Sequence, residues 1–388
     1  MKWVKLLLIN VLVGFVILEL FSFLLVKNNM LIINETPNIY RKVKQKDDGS
    51  IAKNWLTENS LWGAWHKKNA IAQHNGQCFK SEYRSNSIGA RDDEFILNGP
   101  KKTFILLGDS FAEGYGVNFE ETSQKIIENR TNLNVLNFGA SGNFGPVQYW
   151  LLYKNLAKKY PHDGLIIYFL PSNDFNDNDY DYWNYTGQTF NSGKKRGGAE
   201  RYRPYYSIQG DEFGYFIPSN AIKKESWEDR GGLITQFIIE NLWLGNTLRT
   251  LKTIILRQFL MNKINSTSTS TSIYSGYFDA THDQQKAAVY FLKKIIEDSP
   301  ASLIFIVSIP ILEDFNRAEH SPNHKNLFWV KALKNLKVKN KKIKFIDLLS
   351  YKTNSAKDLF FACDNHWNGK GNSWAGEIIS NEIKKEFN

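Results

Sequence analysis

The longest uninterrupted hydrophobic pattern lies at the N-terminus. Leu6 to Val26 is apolar on all sides, broken only by Asn10, Glu19 and Ser22. At about 1.5 Å per residue it predicts a helix of about 30 Å, the thickness of a hydrocarbon core. An apolar stripe on one face would mark a buried core helix; this segment has no polar face. Lys2 and Lys5 precede it and Lys27 follows. A cleaved signal peptide is the rival, but Phe21 to Leu25 offers no small-residue cleavage site. Residues 1–29 therefore read as an uncleaved single-pass membrane anchor, N-terminus inside and the remainder extracytoplasmic (periplasmic). Glu19 is costly in lipid unless it is protonated, snorkels or pairs.

From residue 103 the pattern becomes an alternation. Strands are predicted at Thr103–Leu107, Asn134–Phe138, Leu165–Leu170, Ser302–Ile309 and Ile343–Leu348. Helices are predicted at Glu120–Arg130, Pro146–Lys159, Thr281–Glu297, Asn326–Leu336 and Gly371–Phe387. Apolar strands alternating with helices give a parallel sheet covered on both faces. Such sheets bind ligands at the carboxyl ends of their strands. The alternation lapses over about 175–280. Residues 180–217 read as long loops or a hairpin, and Leu233–Leu260 as one or two amphipathic helices. Asn265–Ser272 is a low-complexity surface loop. The expected organisation is an anchor (1–29), an extension (30–100) and an α/β domain (101–388) whose insertion caps the site.

Composition narrows the classes. The 388 residues are 42% hydrophobic and 23% charged, which excludes a disordered or collagen-like chain. One apolar span excludes a polytopic membrane protein. The net charge is +10. The run from Lys325 to Lys344 reads as a solvated face, with attraction to an anionic surface as the alternative. No nucleic-acid motif accompanies it. Two cysteines exclude a disulfide framework or a four-thiolate zinc site, and no histidine has metal-ligand spacing. No metal or cofactor is expected. In an oxidising compartment Cys78 and Cys363 pair as one disulfide tying the extension to the C-terminal loop; two buried thiols are the alternative.

Four short motifs carry chemistry, each after a predicted strand. Gly108-Asp109-Ser110 places a serine at a strand-to-helix turn, where helix N–H groups face a developing oxyanion. Asp364-Asn365-His366 supplies a base near neutral pH with a carboxylate to fix its tautomer. Between them lie Asn137 to Gly142 and Pro171 to Asp174, which offer a glycine N–H (Gly142) and an amide (Asn173) of the donor types an oxyanion hole uses. Each motif alone is weak; their conjunction on one sheet rim is not.

On these residues the chain resembles the SGNH/GDSL hydrolase superfamily, from about residue 85 to 386 outside the insertion. The resemblance implies a flavodoxin-like three-layer α/β sandwich. It implies Ser110 as nucleophile, His366 as base and Asp364 as its partner, with Ser110, Gly142 and Asn173 forming the oxyanion hole. Ser85 to Arg91 looks like the lead-in of membrane-anchored bacterial members, with Ala90 in place of an aromatic. Pro171 stands where the family has glycine. The short Asp-x-His spacing resembles that of alginate O-acetyltransferases, and leaves Asp347 or a backbone carbonyl as alternative partners of the ring.

The expected activity is hydrolysis of an ester, or O-acetyl transfer, through an acyl-enzyme. The expected substrate is an acylated envelope or secreted polysaccharide, with a membrane acyltransferase as a candidate partner. Tyr180, Tyr182, Trp183 and Tyr185 read as loop packing, or as a sugar-stacking wall. A GDSL lipase or phospholipase, and a non-catalytic glycan-binding or assembly protein, are the rival functions.

Overall fold

The computed structural model describes residues 2–28, 30–33, 43–45, 49, 51–52, 55–97, 99–183, 202–210, 212–219, 233–265, 274–320 and 322–387. The apolar N-terminal segment is one helix, α1 (Lys2–Lys27). After it come β1 (Val43–Gln45), β2 (Ile51–Ala52), β3 (Leu56–Asn59), β4 (Gly63–His66), β5 (Ala70–Asn75) and β6 (Lys80–Arg84). They pair as an antiparallel sheet in the order β2-β1-β5-β6 and a β3–β4 hairpin. The residue alternation of β5, buried then half-buried, is that of a strand with one covered face. Val43, Trp55, Leu56, Ala70, Ala72 and Tyr83 form a small core of their own.

The α/β body begins with β7 (Thr103–Gly108), α2 (Ser110–Glu113), α3 (Ser123–Thr131), β8 (Asn134–Gly139), α4 (Pro146–Asn155), β9 (Gly164–Phe169) and α5 (Pro171–Asp177). The insertion contributes β10 (Tyr205–Gln209), β11 (Glu212–Phe216), α6 (Leu233–Asn241) and α7 (Trp243–Asn265). The body resumes with α8 (Gly276–Asp279), α9 (His282–Asp298), β12 (Leu303–Ser308), α10 (Leu312–His320), α11 (Phe328–Lys334), β13 (Lys342–Asp347) and α12 (Gly369–Lys384).

Five of these strands form a wholly parallel sheet in the order β13-β12-β9-β7-β8. Counted from its first strand this is 2-1-3-4-5, the flavodoxin-like doubly wound order. The chain moves one way from β7 to β8 and the other way thereafter. Right-handed crossovers then place α4, α9 and α11 on one face and α3 with α12 on the other, and the helices pack in those two groups. The three-layer sandwich implied by the sequence is the one observed. β7 and β9 are buried at every residue, as strands covered on both faces must be. On α9, Thr281 caps the first turn, and Ala287, Ala288, Phe291, Leu292, Ile295 and Ile296 make the buried stripe.

Some boundaries differ from the sequence pattern. The helix expected over 146–159 leaves α geometry after Asn155 and closes as a 3₁₀ turn at Ala157–Lys159. The helix expected over 326–336 shortens to α11. Tyr185 and residues 266–272 of the low-complexity segment lie outside the described residues.

Candidate active site

β7 delivers the serine. It ends at Gly108, and the buried Asp109 caps α2 by accepting the Phe111 N–H at 3.0 Å. Burial pushes the Asp109 carboxyl up to about 7. Ser110 is the first residue of α2 and is buried, 7% exposed. Gly139 at the end of β8 allows this close turn: a Cβ there would lie 2.4 Å from the Glu113 nitrogen.

His366 arrives from the far end of the chain. The loop before α12 closes on itself, with Phe361 N–H donating to the His366 carbonyl at 3.0 Å and Phe360 bridging to Trp367. His366 Nε2 lies 2.7 Å from Ser110 Oγ, and Nδ1 contacts Asp364 Oδ1. With Nδ1–H donated to Asp364, Nε2 is left to accept the serine proton. Burial alone would raise the Asp364 carboxyl, but the His366 hydrogen bond and charge outweigh it and hold it below the usual carboxylate range. The imidazole is stacked on Tyr115 at 4.1 Å and lies 5.1 Å from the Phe111 ring. These are the contacts expected of Ser110, His366 and Asp364 from the sequence motifs.

Comparison with known proteins adds little to these distances. No protein-family model and no curated protein matches the chain. Among solved structures, a lipase from a goat rumen metagenome aligns over 72% of this chain and 96% of its own, at 13% identity and a TM-score of 0.37. A lipase/acylhydrolase from Enterococcus faecalis aligns over 74% and 96%, at 12% identity and 0.35. An acetyl xylan esterase from the rumen bacterium Butyrivibrio proteoclasticus aligns over 76% and 66%, at 10% identity and 0.32.

Gly142 and Asn173, expected at the site from the sequence, follow strands β8 and β9 of the same sheet. Gly108 and Gly139 are register partners, so the loop carrying Gly142 leaves the sheet beside Ser110. Gly142 adopts φ +98°, a conformation open to glycine and strained for other residues. Asn173 lies in the first turn of α5. Pro171 fits there without displacing that turn because it is the first helical residue, where no N–H is required. Asp174 takes the Leu170 N–H at 2.8 Å and the Tyr149 hydroxyl at 2.7 Å, which pins α5 to α4. Asp347, the alternative partner for the ring, is engaged elsewhere, with Ser308, Tyr277 and His324. Cys78 and Cys363 form a disulfide across the β module and the loop before α12. Tyr180 packs on Tyr205 and Phe216 of the insertion hairpin, at 5.3 and 5.5 Å.

Sequence reading missed a second layer of residues. Glu113, the last residue of α2, is wholly buried. It accepts the Ser141 N–H at 2.7 Å and the Trp55 indole N–H at 3.0 Å, and lies 3.2 Å from His66 Nε2. Burial pushes this carboxyl up, but His66, the Ser141 N–H and Arg91 outweigh it and hold it at about 2. Arg91 donates to the Glu113 and Val117 carbonyls at 2.7 and 2.6 Å and stacks on Tyr83 at 3.6 Å. The β module is therefore wedged under the Ser110 turn and the loop before Gly142. Arg91 was visible in the lead-in motif. Glu113, His66 and Trp55 carried no signal, because their spacing along the chain matches no local period.

Proposed function

We propose that the chain is a serine esterase, or an O-acyl transferase using the same acyl-enzyme. The observation that carries this is the 2.7 Å contact between Ser110 Oγ and His366 Nε2, with Asp364 on the other ring nitrogen. His366 takes the serine proton as Oγ adds to the ester carbonyl. The Ser110 and Gly142 N–H groups and the Asn173 amide receive the oxyanion. Collapse expels the alcohol, which leaves with the proton from His366. Water, or a sugar hydroxyl, then loses its proton to His366 and attacks the acyl carbon, releasing Ser110.

α1 serves as the membrane anchor: it is long, apolar and exposed over most of its surface. An anchored site favours an acylated envelope polysaccharide as the substrate.

The test is fluorophosphonate labelling of the protein, read by intact mass. One adduct is expected in the parent, none in Ser110→Ala and slowed labelling in His366→Ala. No adduct in folded parent overturns the activated serine. Esterase and transferase are then separated by supplying glycan acceptors to the acetylated enzyme.

A further inference from the structure

Glu19 is the acid in an otherwise apolar helix, and the structure gives it a partner. Most of α1 is exposed, but Ser22 and Val26 are buried, and Glu19 and Phe23 are half-buried. Those positions recur at helical spacing and form one stripe along the last turns of α1. The stripe receives α7: Trp243 packs edge-on against Phe23 at 5.3 Å.

The contact is also polar. α7 is preceded by Leu242, whose side chain offers no acceptor for the first N–H groups of the helix. Glu19 supplies both acceptors. Its Oε1 takes the Trp243 N–H at 2.6 Å and its Oε2 the Leu244 N–H at 2.8 Å. The helix end also favours a negative charge there. On the other side of the break, the Asn246 amide donates to the Ile239 and Leu242 carbonyls at 2.9 and 3.0 Å. Gly245 permits the tight approach, since a Cβ there would lie 2.2 Å from Ile238. Backbone groups freed at the break between α6 and α7 are thus taken up by side chains, as a break in hydrocarbon requires.

The outer surface of the pair points the same way. Ile234, Phe237, Leu248 and Ile255 are each more than half exposed. From Trp243 to Asn265 the sequence has no acid, while Arg249 and Lys252 are exposed. Exposed apolar residues beside cations are the make-up of a helix lying against anionic lipid. Glu19 lies seven residues before Val26, so about 10 Å along the helix from the end of the apolar run.

We infer that α6 and α7 dock on the last turns of α1 and lie with it in the lipid of one leaflet, with Glu19 capping α7. This rests on the reading of α1 as a membrane anchor. It explains how Glu19 is tolerated there: two amides and a helix dipole replace water.

The test uses the full chain in phosphatidylcholine–phosphatidylglycerol vesicles containing nitroxide lipids. An environment-sensitive fluorophore is placed on Leu12→Cys, Ile255→Cys or Asn335→Cys, the native cysteines being paired. Strong quenching at Leu12 and Ile255, with little at Asn335 on the body, is expected. Quenching at Leu12 but not Ile255 overturns the docking alone. Quenching at neither overturns the anchor and the docking with it. Glu19→Ala should shift the docking equilibrium about fivefold, lowering quenching at Ile255 and leaving Leu12 unchanged. Glu19→Gln, which keeps a carbonyl acceptor, should retain most of it. An Ile255 signal indifferent to Glu19→Ala overturns the capping role.

Discussion

One carboxylate oxygen of Asp364 serves His366 twice, contacting the ring Nδ1 and accepting the backbone N–H at 3.0 Å. Two residues suffice for this because the loop folds back through Phe361 and Trp367. Asp364→Asn should therefore leave the fold intact while presenting the wrong ring tautomer to Ser110. The expected loss in kcat is roughly 10²- to 10⁴-fold on a model acetyl ester, with KM little changed. A rise in KM alone would place Asp364 in binding.

The Cys78–Cys363 bridge closes a separation of 285 residues and adjoins Asp364. Reduction, or Cys78→Ser with Cys363→Ser, should lower stability by about 2–5 kcal/mol. It should also slow fluorophosphonate labelling of Ser110, because Asp364 loses its fixed neighbour. Thermal unfolding and labelling rate with and without reductant check both effects.

Glu113 gives an acid limit. Its folded pKa, at about 2, is below the usual 4.5, so its contribution to stability is complete above about pH 4.5 and is lost as pH falls towards 2. The wild type should lose up to about 3 kcal/mol more than Glu113→Gln over that interval. Denaturant midpoints measured from pH 6 down to 2 read the difference. Parallel curves would show that Glu113 does not titrate with folding.

Gly142→Ala asks for a side chain at φ +98°, with Leu56 3.2 Å from the new Cβ. Strain of about 1 kcal/mol follows, and the N–H proposed to receive the oxyanion is displaced. The expected loss in kcat is about 10²-fold, near that of removing one oxyanion donor. Gly210→Ala also has positive φ but open space around it and is far along the chain in the insertion hairpin, so it controls for strain alone.

Ser110, Gly142 and Asn173 are legible because each lies in a short run just after an apolar strand, and His366 because it pairs with Asp364 in a short motif near the last helix. The parallel sheet is legible for the same reason, since full burial leaves strands without polar alternation. The helical period of 233–260 is legible too, but not its partner. Glu19 and Trp243 are 224 residues apart, and only folding brings them together. Glu113 is equally silent, a single acid among apolar neighbours whose role depends on Ser141 and Trp55 arriving from other elements. The short Asp-x-His spacing left Asp347 and a backbone carbonyl open as partners of the ring, and the loop closure that brings Asp364 to it is encoded by no spacing.

Gln77 gives the site a fixed altitude. Its side chain holds the Val26 and Leu31 carbonyls and the Ile33 N–H at the end of α1, and the next residue is the disulfide-bonded Cys78. From the end of α1 to Asp364 there is a mast rather than a leash. With α1 as the proposed anchor, an esterase so mounted would sweep a thin sheet parallel to the bilayer instead of a hemisphere above it. Polymers emerging from or lying on that membrane pass through the sheet as they diffuse sideways, while chains released into bulk leave it at once. Turnover should then track the surface density of substrate, not its concentration in solution.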